Sequence, residues 1–67
     1  MAEEKLSEAV REIERSATTW VVKKAAQEAL KTGTNEALVR GLVIARESGQ
    51  TLHVINTANK ALGFDNE

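Results

Sequence analysis

Sixty-seven residues without cysteine leave room for one domain, near the size limit below which a single apolar core needs a disulfide, a metal or a partner subunit. A net charge of −1 and a pI of about 5.8 count against a strongly basic nucleic-acid binder, and a lone His53 with scattered carboxylates excludes a structural zinc site. No apolar run approaches the ~20 residues of a membrane span, so residues 1–67 read as a single soluble, cytoplasmic domain with no membrane partner.

Ten alanines and six leucines, with only Trp20 and Phe64 as aromatics and no proline, favour helices over sheet. In the first segment Leu6, Ala9, Val10, Ile13, Ala17, Trp20 and Val21 share one stripe at ~100° per residue. Val22, Ala25, Ala26, Ala29 and Leu30 fall largely on the other side, so the buried face changes direction near Trp20. Ser16, Thr18 and Thr19 sit at that change and are better at starting helices than at continuing them. The pattern predicts helices at about 3–15 and 18–31, with one kinked helix over the same span as the alternative. Trp20, the largest apolar side chain, is expected to anchor the core.

Thr32-Gly33-Thr34 reads as a helix stop and a new start, which predicts a helix over 35–48. Its core face is expected on Ala37, Leu38, Leu42, Ile44 and Ala45, which leaves Val39 and Val43 beside Arg40 and Arg46 in need of cover. Glu36 and Arg40, four apart, are expected to pair at the surface. Ser48-Gly49-Gln50-Thr51 repeats the stop and start and predicts a helix over 51–62, with a core face of Leu52, Ile55, Ala58 and Leu62. Gly63 closes it, with the Phe64 ring expected to fold back on an apolar residue of the last turn. The fold class is therefore all-α, a small bundle of three or four helices.

The charges divide the chain. Residues 1–15 carry five acids against three bases, residues 16–64 six bases against three acids, and the tail adds Asp65 and Glu67. Residues 48–64 contain no acid.

Within Ile44-Ala45-Arg46-Glu47-Ser48-Gly49-Gln50-Thr51-Leu52-His53-Val54-Ile55, Ala45 is followed four positions later by Gly49 and six beyond that by Ile55. A small residue lets two helices approach, a glycine turns the chain with positive φ, and an aliphatic residue packs the second helix on the first. The stretch resembles the helix-turn-helix of DNA-binding repressors and recombinases over residues 41–60, with 18–31 as the first helix of a tri-helical unit. Gln50 departs from that pattern, where an apolar residue is usual. The resemblance implies a DNA-binding or transcription-regulatory module, dimeric, with double-stranded DNA as partner. Its second helix would present His53, Asn56, Thr57 and Lys60 within about 100° of arc, with Thr51 at its start and Arg46 and Arg40 within reach of phosphates. The same residues also read as ordinary solvated surface, and Asn59 as a buried polar group that fixes register.

The alternative is a helical protein-interaction module, an adaptor, antitoxin-like or scaffold element with no nucleic-acid partner. Here the amphipathic stripe of Leu6, Val10 and Ile13 seals a groove in cis or in trans, and Val39 and Val43 are covered by that helix, by a second copy or by another protein. Self-association is expected, because so small a domain gains disproportionately from it. No Ser–His–acid order, phosphate-binding glycine loop or paired carboxylates point to an enzyme, and no cofactor is implied.

Overall fold

A computed structural model of the chain describes residues 2–64, and the acidic tail residues Asp65 and Glu67 lie outside them. Four helices follow one another: α1 (Ala2–Ser16), α2 (Trp20–Thr32), α3 (Asn35–Ser48) and α4 (Leu52–Leu62). No strand occurs among the described residues, so the chain is a small all-α bundle. Residues 3–31 form two helices rather than one kinked rod. None of the four is long and apolar enough to cross a membrane.

α1 and α3 form the middle of the bundle, each touching all the other helices, while α2 and α4 flank them and do not meet. The core runs through all four: Leu6, Val10 and Ile13 of α1, Val22, Ala26 and Ala29 of α2, Leu38, Leu42 and Ala45 of α3, Val54 and Ala58 of α4. The amphipathic stripe of α1 thus seals the bundle in cis, so Leu6, Val10 and Ile13 are core residues and not a free surface.

The break between α1 and α2 decides what stays outside. α1 continues to Ala17, whose N–H donates to the Ile13 carbonyl, and α2 begins after Thr19 in extended conformation. The chain then doubles back: Lys23 Nζ donates to the Glu14 carbonyl at 3.0 Å and Gln27 Nε2 to the Glu14 carboxylate at 3.2 Å. Had the helix run on, Trp20 and Val21 would have extended the buried stripe of α1. The reversal instead turns Val22, Ala26 and Ala29 inward and leaves Trp20 72% and Val21 54% exposed. The expectation of Trp20 as a core anchor is overturned for this reason. The Thr19 hydroxyl, buried at the corner, has no hydrogen-bond partner among the described residues.

The ends of α2 and α4 and the start of α3 follow their sequence signals. Gly33 takes the left-handed conformation (φ 77°) and its N–H donates to the Ala29 carbonyl, after which Thr34 caps α3 by accepting from the Ala37 N–H. Gly63 (φ 87°) ends α4 with its N–H on the Lys60 carbonyl and that of Phe64 on the Asn59 carbonyl, the paired bonds of a Schellman motif.

Candidate functional site

α3 and α4 meet at a three-residue connection, Gly49 to Thr51, and Thr51 caps α4 by accepting from the Val54 N–H at 3.3 Å. Ala45 is fully buried at the crossing. Gly49, however, is extended (φ −66°, ψ 147°), so the turn does not use positive φ. Glycine is required there for space. A Cβ would stand 2.4 Å from the Ala45 carbonyl oxygen and 3.1–3.2 Å from the side chains of Val54 and Ile55.

α4 is turned by most of a residue's step from the expected orientation. Val54 and Ala58 are its buried residues, Ile55 and Leu62 lie at the edge of the core, and Leu52, expected inside, is 75% exposed. Val54 and Ala58 are the α4 members of the core that all four helices share. The outward arc of α4 therefore consists of Leu52, Asn56, Lys60 and His53.

Much of this arc is tied to the molecule itself. His53 Nε2 donates to Glu12 Oε2 of α1 at 2.8 Å, and Glu12 also accepts from Arg15 and from Ser16. These hydrogen bonds, that from Arg15 foremost, hold the Glu12 carboxyl at about 2, well below its ordinary value. Thr57 donates to the His53 carbonyl of its own helix at 2.7 Å, and with Lys60 it borders a shallow cleft whose other wall is Lys5, Glu8 and Ala9 of α1. Arg46 donates to Asn59 Oδ1 at 2.7 Å and covers the Phe64 ring at 4.7 Å. The phenyl group, expected against an apolar residue of α4, thus lies under a guanidinium of α3 and remains 56% exposed. Asn56 and Lys60 point outward without a hydrogen-bonding side-chain partner among the described residues. The structure thus gathers His53, Asn56, Thr57 and Lys60 on one helix, gives Thr51 to the cap and Arg46 to the α3–α4 contact, and sets two α1 carboxylates beside the ridge.

A second feature lies on the opposite side. Between α2 and α3 runs an open trough of about 370 Å³. Its floor is made of small residues, Ala25 and Ala29 from α2 and Ala37 and Gly41 from α3. Gly41 makes it possible: a Cβ there would stand 3.0 Å from the Ala29 Cβ, so the two helices approach as closely as their backbones and one methyl group permit. The rim carries Trp20, Val21, Lys24 and Glu28 on one side and Arg40 and Ile44 on the other. Lys24 Nζ stands 5.5 Å above the Trp20 ring and 3.8 Å from the Glu28 carboxylate. Arg40 makes no ion pair with Glu36 and borders the trough instead; Ile44, expected in the core, lines it too. Val39 is 38% exposed and Val43 half-buried, so the second is covered more fully than the first within the bundle.

The sequence reading missed Glu12, Gly41 and the outward Trp20. Gly41 had a signal, since a glycine in a helix interior costs about 1 kcal/mol and implies a close approach. Comparison with protein-family models, with curated proteins and with solved structures gave no match to this chain.

Proposed function

We propose that the chain is a helical protein-interaction module that binds through the trough between α2 and α3. The observation that carries this reading is Trp20. The largest apolar side chain of the molecule stands 72% exposed next to Val21, at the lip of a trough floored by alanine and glycine. Exposed indole surface costs free energy in water and is recovered when a partner covers it, and tryptophan is among the side chains that dominate binding energy in interfaces. The test is site-specific photo-crosslinking in the cells that make the protein, with a benzoylphenylalanine at position 20 or, as control, at position 56. Protein adducts from position 20 and not from position 56 are expected. Their absence from position 20 would refute the reading.

The DNA-binding reading is the second, and one observation favours it: the tight α3–α4 connection around Ala45, Gly49 and Ile55, with Asn56 and Lys60 facing outward. Glu8 and Glu12 beside the ridge are offset by Lys5 and Arg15, so α1 adds no net positive charge for phosphates there. This reading predicts nucleic-acid adducts from position 56. It also predicts relaxed sequence preference in Asn56→Ala and Thr57→Ala, and weaker binding to every sequence in Lys60→Ala.

A further inference from the structure

The partner that the trough fits is a second copy of this chain. We infer that two copies pack α2 against α2 in antiparallel orientation about a two-fold axis near residue 26, an inference that rests on the interaction reading above. α2 is self-complementary in that register. An isologous contact pairs residue i of one copy with residue j of the other and j with i. With the axis at position 26, Lys24 meets Glu28 of the second copy and Glu28 meets its Lys24, so two ion pairs of opposite sense form at the centre. In the same register Trp20 meets the level of Thr32. That end of the trough is bounded by Ala29, Thr32 and Ala37, where small side chains leave a place for the indole. Each copy thus brings one bulky apolar group at the start of α2 and one vacant small-residue end, four residues beyond its acid, to receive it.

Three further observations agree. The α2 side of the rim carries one cation and one anion one helical turn apart, so the α2 edges of two copies attract each other, while Arg40 across the trough adds a second cation. A 13-residue helix extends about 20 Å, enough for both anchor contacts to form at once along α2. The smallest specific interfaces bury roughly 600 Å² per partner, about one seventh of the 4415 Å² surface of this chain.

The experiment is sedimentation equilibrium of the full chain from micromolar to millimolar concentration, on the wild type, on Lys24→Glu, on Glu28→Lys and on an equimolar mixture of the two variants. The wild type is expected at twice the 7.3 kDa of one chain at the upper concentrations. Lys24→Glu sets two carboxylates against two, and Glu28→Lys two ammonium groups against two, so each alone should dissociate at least about tenfold more readily. The mixture restores opposite charges across the axis without restoring the Lys24–Glu28 pair within either chain, and should regain the wild-type affinity. Circular dichroism verifies that each variant is folded. A dimer indifferent to both substitutions, or a mixture no tighter than its components, contradicts the proposal. A wild type that stays monomeric also contradicts it, and the position-20 crosslink then separates the two levels: an adduct with another protein keeps the interaction reading and discards the second copy, whereas no adduct discards both.

Discussion

The two flanking helices meet solvent in opposite ways. On α4 three of the four outward groups, His53, Asn56 and Lys60, are polar, His53 is partnered by Glu12 of α1, and Leu52 is the single apolar group among them. On α2 the outward groups at the helix start are Trp20 and Val21, and only the Lys24 ammonium lies over the indole. A polar group at a surface is already served by water. An apolar one is not, and it is there that covering by a partner releases free energy. Exposure by itself therefore does not distinguish the two faces, but the chemistry of what is exposed does.

The glycines under the two faces offer the largest effects. Gly49→Ala drives a methyl group into the Ala45 carbonyl, a backbone atom that cannot give way without moving α3. A loss of about 1–3 kcal/mol is expected from such overpacking, measured by chemical denaturation at a concentration where the chain is monomeric; an unchanged midpoint would mean that the α3–α4 crossing is looser than described. Gly41→Ala meets the Ala29 methyl at 3.0 Å and, at an ordinary contact distance of 3.5 Å, the Ala25 carbonyl oxygen. The better helix propensity of alanine, worth up to about 1 kcal/mol, works against that crowding, so stability should stay within about 1 kcal/mol of wild type while the trough floor rises. A loss as large as that of Gly49→Ala would remove the contrast between the two crossings.

Trp20→Ala should change monomer stability by less than about 0.5 kcal/mol, as for a surface position, yet abolish association. A large loss of stability would return Trp20 to the core. The smallest effect belongs to Glu12. Its carboxyl is held at about 2 by hydrogen bonds from Arg15, His53 and Ser16, below the ordinary value of 4.5. A lowered value in the folded state contributes stability that is complete above pH 4.5 and lost as pH falls toward 2. The pair is solvent-exposed and screened, so the change is modest. In Glu12→Gln the denaturation midpoint should fall less steeply between pH 5 and pH 2 than in the wild type, and equal slopes would show that the α1–α4 link carries no weight.

Much of the fold was legible because its signals are local. The left-handed Gly33 and the threonine caps at 34 and 51 mark helix ends through backbone conformation and capping, and the stripe of Leu6, Val10 and Ile13 needs only helical periodicity to identify a buried face. What depended on how one helix lies against another was not legible. Periodicity places Trp20 on the α1 stripe as readily as on α2, and only the reversal at Ala17–Thr19 settles it. In α4, Leu52 and Val54 are both apolar, and the choice between them follows from the position of α1 and α3 rather than from the helix itself. Gly49 was identified as necessary, but for its conformation rather than for the space it leaves. Glu12 and His53, 41 residues apart, share no local pattern at all.

The most direct measurement of the central claim uses the single tryptophan of the chain as its own reporter. Fluorescence emission of the wild-type protein, followed from nanomolar to millimolar concentration, should shift from the red emission of a solvated indole to the blue emission of a covered one as α2 finds its partner. In Lys24→Glu the same shift should need at least about tenfold higher concentration. Emission that stays red at concentrations where sedimentation shows a dimer would place the contact elsewhere, and emission already blue at nanomolar concentration, where the chain is monomeric, would mean that Trp20 is buried within the chain itself.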